Sequence, residues 1–132
     1  MIQANPGEKL IIPPGFGHIS INIGITPLVL ADLFADNIAS DYSFFKKQRG
    51  AAYWVLPSQS TSAKEIMSVH NPRYRDAGPL IFGTPTTYPT VGLSKKTSIY
   101  DAFVAHPDRF TFLTNPRTAW RILDTDGLCS VR

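Results

Sequence analysis

The chain has 132 residues, a formal net charge of +3 and one cysteine. The length suits one domain, and the charge is too small and too scattered to indicate nucleic-acid binding, although it is compatible with an anionic small substrate. A single cysteine excludes an intrachain disulfide and favours a reducing compartment, and no apolar run approaches the roughly 20 residues of a membrane span. We therefore predict a cytoplasmic protein that binds neither nucleic acid nor a membrane.

The first predicted element is a β-hairpin. Lys9 to Ile12 favour a strand, and Pro13 to Gly15 favour a turn. Apolar and polar residues then alternate along a return strand, so the apolar side chains share one face and the polar side chains share the other. The apolar set is Ile19, Ile21 and Ile23, and the polar set is His18, Ser20 and Asn22.

The hairpin carries a motif of fixed spacing, G-x5-P-x-G-x2-H-x3-N, formed by Gly7, Pro13, Gly15, His18 and Asn22. It resembles, position for position, the second signature motif of the cupin family, in which the His is a metal ligand inside a small antiparallel barrel. The resemblance implies that His18 is a ligand of a divalent metal (Fe, Zn, Mn or Ni). A hydrogen-bonded structural histidine is the alternative.

Short elements follow the hairpin along the next third of the chain. Leu28–Phe34 is nearly all apolar and predicts a strand covered on both faces. The basic cluster Lys46–Arg49 favours a solvated loop or hairpin edge, and Ala51–Leu56 favours a strand. The polar stretch Ser58–Lys64 marks a boundary.

The last part of the chain is predicted to be irregular and then helical. Asn71–Leu93 contains four prolines and favours an irregular segment. Thr97 or Ser98 is expected to cap a helix over Ile99–Ala105, and Asp108–Leu113 favours a turn or short helix. A further helix is predicted from Pro116 through Leu123. The side chains expected to bury an apolar side of these helices are Phe103, Phe110, Phe112, Leu113, Trp120, Ile122 and Leu123.

The order of features beyond the motif resembles the cupin-type glucose-6-phosphate isomerases. That family follows the metal His with N-x-G-x-x-P-L/F-V/I, an apolar strand that ends in Tyr, and a D-A-G-H-D-Y-like turn. The matching residues here are Asn22, Gly24, Pro27, Leu28, Val29, Asp41 and Tyr42. Phe34 replaces the family's Tyr and Ser40 replaces its His. The resemblance implies metal-dependent aldose–ketose isomerisation of glucose 6-phosphate and fructose 6-phosphate. Tyr42 is the candidate contact to the small sugar phosphate, and simple packing of an aromatic beside a turn is the alternative.

The resemblance also implies the fold. We expect an all-β cupin (jelly-roll) half-barrel over residues 1–57, with a mainly helical C-terminal extension over residues 58–132 packed on it. The family's first motif, which supplies an HxH pair and a Glu to the metal, is absent from the sequence. We therefore expect weak or no metal binding by this chain alone, and either a homodimer or a separate chain that supplies the N-terminal cupin half.

Two other functions stay open on the sequence alone. One is a non-catalytic cupin module that binds a small sugar or anion. The other is a dimerisation element whose exposed strand edges pair with a second chain.

Overall fold

The computed structural model describes residues 1–56 and 66–131. Short helices and short strands alternate along these ranges. In chain order they are α1 (Ser43–Gln48), β1 (Tyr53–Leu56), β2 (Met67–His70), β3 (Gly83–Pro85), a first 3₁₀ helix (Pro89–Val91), α2 (Ile99–Ala105), a second 3₁₀ helix (Pro107–Leu113), α3 (Arg117–Asp126) and β4 (Cys129–Val131). None of the helices in this part of the chain has the length and apolar character that crossing a membrane requires.

The described strands form two antiparallel sheets of two strands each. In the first sheet β1 pairs with β2, and in the second β3 pairs with β4. The prediction of an all-β cupin half-barrel is therefore wrong. Residues 1–56 and 66–131 form no barrel, and their fold is a small mixture of α and β elements.

The error lies mainly in the strands predicted before residue 42. None of the three segments predicted as strands in this region joins a sheet. These segments are Lys9–Ile12, Ile19–Ile23 and Leu28–Phe34. The one bridge in this part of the chain links Ile2 to Gly83. The alternating isoleucines stay 43–49% exposed. A strand needs a neighbour that pairs with its backbone groups, and the described residues provide none for these segments.

The turn predicted inside this region is confirmed. The backbone N–H of Phe16 donates to the carbonyl of Pro13 at 3.2 Å. Pro14 takes the second position of the turn, and Gly15 takes the third with a φ of 80°. Proline followed by a residue of positive φ is the signature of a type II turn, which explains the glycine.

The basic cluster adopts a helix, contrary to the predicted loop. Lys46 and Lys47 lie in the last turn of α1, where positive side chains interact favourably with the helix dipole. Arg49 then ends the helix in the left-handed conformation, with a φ of 55°. Gly50 continues the turn, and its N–H donates to the carbonyl of Phe45 at 2.9 Å.

The chain divides into two compact units. Unit 1 comprises Met1–Gly17, Ala31–Asn37 and Ile81–Arg132, and unit 2 comprises His18–Leu30 and Ile38–Leu80. The boundary predicted between residues 57 and 58, within the polar stretch that includes Ser58–Lys64, lies outside the described residues.

Local sequence signals set the helices of unit 1. The Ser98 hydroxyl accepts from the Asp101 N–H at 3.0 Å, which caps α2 and confirms the helix predicted at Ile99–Ala105. A proline then starts the second 3₁₀ helix at residue 107. The third predicted helix is also present as α3, although it begins at Arg117 and continues to Asp126.

Unit 1 contains the hydrophobic core. The buried hydrophobic residues are Ile11, Tyr88, Val91, Leu93, Ala102, Phe110, Phe112, Ala119, Ile122 and Leu123. Four of them were predicted from the apolar side of the C-terminal helices. Trp120 was also predicted to be buried, but it is 44% exposed, and its ring lies edge-on to the Phe16 ring with centroids 6.1 Å apart.

A buried tyrosine connects distant parts of unit 1. The Tyr88 hydroxyl accepts from the backbone N–H of Ile11 at 3.3 Å and donates to the carbonyl of Leu128 at 3.0 Å. Burial raises the pKa of Tyr88 above its ordinary value of 10.0. One side chain therefore satisfies two backbone groups that lie far apart in the sequence.

A buried asparagine has the same role in unit 2. The Asn71 side-chain amide donates to the carbonyl of Ala51 at 2.9 Å and to that of Gln48 at 3.2 Å. Its side-chain oxygen accepts from the N–H of Arg73 at 3.0 Å. Asn71 thus links the end of α1 and the start of β1 to the segment after β2.

Tyr88→Phe should destabilise unit 1, because it leaves the Ile11 N–H and the Leu128 carbonyl without a partner in a buried site. We expect the free energy of unfolding to fall by about 1–3 kcal/mol, the range for buried polar groups that lose their partner. Urea denaturation followed by circular dichroism measures the loss. Tyr100→Phe is the matched control, since Tyr100 is 73% exposed, and it should change stability by less than about 0.5 kcal/mol.

The pH dependence of the stability of wild type and Tyr88→Phe checks whether the buried Tyr88 hydroxyl is the source of the effect. The folded-state pKa of Tyr88 is raised, so its stabilising effect is complete below the ordinary value of 10.0 and is lost as pH rises through the folded-state pKa. The difference in the free energy of unfolding between wild type and Tyr88→Phe should stay constant near neutral pH and become smaller above about pH 10. A difference that widens with pH would contradict this assignment.

Asn71→Asp should loosen unit 2 more than Asn71→Ala does. The aspartate cannot donate to the Gln48 and Ala51 carbonyls, and it brings a negative charge against them. We expect the free energy of local opening to fall by about 1–3 kcal/mol for the lost hydrogen bonds. Amide hydrogen exchange of β1 and β2 measures it. Asn37→Asp, at an exposed position, should leave that exchange unchanged.

Candidate functional site

The N-terminal half of the motif is fixed to unit 1. The Lys9 ammonium donates to the carbonyls of Gly7 at 2.7 Å and Ser94 at 2.8 Å. Gly7 has a φ of 84°, and a Cβ at this position would lie 3.1 Å from the Lys95 carbonyl. Both the backbone conformation and the close approach therefore require glycine at the first motif position.

An acidic residue strengthens this attachment. The Glu8 carboxylate accepts from the Asn5 N–H at 2.7 Å and lies 3.6 Å from the Lys95 ammonium. The Asn5 hydrogen bond, followed by the charge of Lys95, holds the pKa of Glu8 below its ordinary value despite partial desolvation. Glu8 therefore helps to attach the first part of the motif to unit 1.

The second half of the motif belongs to unit 2, which begins at His18. His18 is exposed, and its side chain makes no hydrogen bond, ion pair or ring contact with another described residue. Its imidazole is therefore available to an external ligand. The predicted role of His18 as a metal ligand stays a prediction.

The described residues do not assemble a catalytic metal site on their own. A catalytic metal commonly takes three protein ligands. Within residues 1–56 and 66–131, no group of three or more His, Cys, Asp or Glu side chains could hold a metal ion. The residues described here therefore do not fit a complete catalytic metal centre, and we derive no reaction step through a metal.

Asn22 forms a local turn. Its side-chain amide donates to the Thr26 carbonyl at 2.8 Å, and its side-chain oxygen accepts from the Gly24 N–H at 2.9 Å. The last motif residue thus stabilises the turn that follows the predicted return strand. This is a structural role for the polar group and leaves His18 as the chemically available side chain of the motif.

Tyr42 lies immediately before α1. Its side chain is exposed, and its hydroxyl makes no hydrogen bond with another described residue. No hydrogen bond or ring contact joins it to His18 within the part of the chain that the structure describes. Substrate contact by Tyr42 stays a prediction, and its hydroxyl is free to donate to a ligand oxygen.

Asp41 is the carboxylate nearest to Tyr42 in sequence. Its side chain accepts from the Ser43 N–H at 2.8 Å. This hydrogen bond holds the pKa of Asp41 below its ordinary value of 3.8. A carboxylate with a lowered pKa is a weaker base, so Asp41 is poorly suited to proton abstraction.

The other two histidines occupy structural positions. His70 ends β2, and its ring lies edge-on to Tyr53 with centroids 5.5 Å apart. His106 ends α2 and precedes the second 3₁₀ helix. Positive charge is favourable at a helix C-terminus, which gives His106 a reason to be present without a catalytic role.

The sequence analysis missed a cleft in unit 1, with a volume of about 240 Å³. Apolar side chains line it together with arginine, threonine and aspartate side chains. The lining residues are Thr90, Val91, Asp108, Arg109, Thr111, Phe112, Thr118, Arg121 and Ile122. The helical spacing of Thr118, Arg121 and Ile122 is the sequence signal that places three of them together.

Comparisons with known proteins identify the family. No curated protein matches this chain, and no solved structure matches it. The family model described as glucose-6-phosphate isomerase (GPI) matches residues 1–71. This match spans more than half of the 132 residues and includes all five positions of the motif. The chain therefore belongs to the glucose-6-phosphate isomerase family.

Proposed function

We propose that this chain supplies part of the active site of a metal-dependent isomerase that interconverts glucose 6-phosphate and fructose 6-phosphate. The observation that carries the proposal is the family match over residues 1–71. In this proposal His18 is one ligand of a divalent metal (Fe, Zn, Mn or Ni), and Tyr42 contacts the sugar phosphate. We place the protein in the cytoplasm, in keeping with its single cysteine.

The remaining metal ligands must come from outside the described residues. The motif from Gly7 to Asn22 resembles only the second cupin motif, so we propose that the chain corresponds to the C-terminal part of the cupin-type members. A partner segment with an HxH pair and a Glu would complete the ligand set. The exposed, unbonded imidazole of His18 supports this, because a ligand shared with a partner has to be accessible.

The reaction needs a base that moves a proton between C1 and C2 of the sugar. Asp41 is a weak candidate, since its hydrogen bond to the Ser43 N–H lowers its pKa. We therefore assign the base to the same partner segment. The described residues would bind and orient the substrate, with the Tyr42 hydroxyl as a hydrogen-bond donor.

The chain alone should hold less than stoichiometric metal and show no isomerase turnover, because one His cannot retain a catalytic metal. Addition of an N-terminal segment with the HxH pair and the Glu should restore both. His18→Ala should then lower kcat/KM by more than about 100-fold. Even the loss of a residue that only hydrogen-bonds to a metal ligand lowers metal affinity or activity by about 10–100-fold. Metal analysis and a coupled isomerase assay measure these effects.

His106→Ala is the matched control for this experiment, because His106 is also exposed but lies outside the motif. It should leave metal content and turnover unchanged. Stoichiometric metal in the chain alone would show that the chain carries a further ligand set. A reconstituted complex with metal but without turnover would contradict the isomerase assignment, and Phe34 and Ser40 would be the first residues to restore to Tyr and His.

The cleft of unit 1 supports a second candidate function, the non-catalytic binding of an anion. Arg109 and Arg121 line this cleft, together with apolar and threonine side chains and Asp108. The hydroxyls of Thr90 and Thr118 donate to Asp126 at 2.8 Å and to the Asn115 carbonyl at 2.8 Å, so they are already engaged. The Arg109 guanidinium would therefore be the main donor to a phosphate in this cleft.

Arg109→Ala tests this second function. If the cleft holds an anion, titration with inorganic phosphate should shift the amide resonances of the second 3₁₀ helix and α3. Arg109→Ala should raise the Kd for inorganic phosphate at least about 10-fold, which is the size expected for the loss of one charge-assisted hydrogen bond. Arg75→Ala, an exposed arginine of unit 2, is the control. Equal effects of the two substitutions would indicate nonspecific charge attraction.

A further inference from the structure

The positive charge of the chain is concentrated in unit 2. The sequence of unit 2 contains six Lys and Arg residues and three Asp and Glu residues, whereas that of unit 1 contains seven of each. The net charge of +3 therefore belongs to unit 2. The prediction that the chain binds no nucleic acid was based on charge that is scattered along the sequence, and the fold gives a different distribution. A charge asymmetry between two parts of a chain is one indication of a polyanionic partner.

Two segments of unit 2 supply five cationic side chains. One segment is the end of α1, and the other follows β2. We call the five side chains the cationic surface, and all of them are exposed. They are Lys46, Lys47, Arg49, Arg73 and Arg75. None of them forms an ion pair or a side-chain hydrogen bond with another described residue. Their charge is therefore available to a ligand.

Hydrogen bonds through Asn71 bring the two segments together. The Asn71 side chain donates to the Gln48 carbonyl at 3.2 Å and accepts from the Arg73 N–H at 3.0 Å. One buried amide group therefore joins the end of α1 to the segment after β2. The ring of Tyr74 adds a second contact, edge-on to Phe44 with centroids 5.7 Å apart. Cations that are distant in sequence thus lie in one region of unit 2.

Little negative charge among the described residues of unit 2 opposes the cationic surface. Asp41 lies before the opposite end of α1, where its carboxylate accepts from the Ser43 N–H at 2.8 Å. Asp76 follows the cationic surface in sequence but forms no ion pair with a described residue. The Gln48 carbonyl, at the negative end of the helix dipole, is already bonded to Asn71. An anion that approaches the cationic surface therefore meets little repulsion.

The exposure of these cations favours a phosphate polymer over a single small anion. Water and salt screen exposed charges, so one phosphate would gain little free energy from them. A polymer that meets several cations at once releases a counterion at each contact, and these gains add along the strand. Phe44, in contact with Tyr74, is 52% exposed and offers a ring on which a base can stack. Unpaired bases are open to such stacking, and an acidic protein has none.

We propose that the cationic surface and Phe44 bind single-stranded nucleic acid. The Lys and Arg side chains contact the phosphates, and the ring of Phe44 stacks on a base. Phosphate contacts carry no sequence information and stacking tolerates any base, so we expect binding with little sequence preference. The proposal does not depend on the isomerase activity, because it uses neither the proposed metal ligand nor the proposed contact to the sugar phosphate.

Fluorescence anisotropy of a labelled oligouridylate RNA of about 12 nucleotides, titrated with the full chain, tests the proposal. Lys46→Ala and Arg73→Ala should each raise the Kd about 5-fold at about 0.1 M salt, because each single-strand phosphate contact releases about 0.7 counterion. Each should also lower the slope of log Kd against log salt concentration by about 0.7. Lys96→Ala and Arg117→Ala, at exposed positions of unit 1, are the matched controls and should change neither quantity.

Phe44→Leu separates stacking from charge. It keeps an apolar side chain but removes the ring, so it should raise the Kd for the RNA and leave the salt slope unchanged. Inorganic polyphosphate with the same number of phosphates should displace the labelled RNA less effectively than unlabelled RNA does, because it has no bases to stack. Amide NMR spectra check the fold of each variant, and Lys47→Ala replaces a variant at Lys46 or Arg73 that loses the native resonances of β1 and β2.

Four results would overturn the proposal. The first is no RNA binding by the wild type at about 50 mM salt, where phosphate contacts are strong. The second is an equal effect of the substitutions in unit 1 and unit 2. The third is a Phe44→Leu variant with the wild-type Kd. The fourth is displacement of the RNA by poly-glutamate as effective as that by unlabelled RNA, which would identify an acidic protein as the partner.

Discussion

The buried hydroxyl of Tyr88 is the interaction on which unit 1 depends. It pairs with the N–H of Ile11 near the start of the chain and with the carbonyl of Leu128 near its end. Tyr88 belongs to one core cluster with apolar side chains from α2, α3 and the two 3₁₀ helices. Two backbone groups that would otherwise be buried without a partner are thereby satisfied, and the core can close around them.

Unit 2 is organised by the opposite kind of constraint. Its central residue, Asn71, makes hydrogen bonds to backbone groups on both sides of β1 and β2, but the described residues around it bury no hydrophobic side chain. The described residues of unit 2 thus have the polar connections of a folded structure, whereas the buried hydrophobic side chains of the described chain all lie in unit 1. This contrast between polar connections and apolar burial separates the two units.

The predicted site residues lie in the unit whose described residues bury no hydrophobic side chain. The two predicted site residues, His18 and Tyr42, both belong to unit 2 and both are exposed. The motif itself crosses from one unit to the other, with Gly7 to Gly15 in unit 1 and His18 and Asn22 in unit 2. Membership of the glucose-6-phosphate isomerase family gives these residues a context, and no group of three or more His, Cys, Asp or Glu side chains among the described residues could hold a metal ion.

The sequence by itself determined the features that depend on neighbouring residues. The turn at Pro14 and Gly15, the cap at Ser98 and the family motif could all be predicted, because local sterics and short-range hydrogen bonds decide them. Only the tertiary structure decided the pairing of strands, the burial of Tyr88 and Asn71, and the cleft beside Arg109. Alternation at Ile19–Ile23 indicates a strand, but a strand forms only where another segment supplies the matching hydrogen bonds, and that choice is made by contacts distant in sequence.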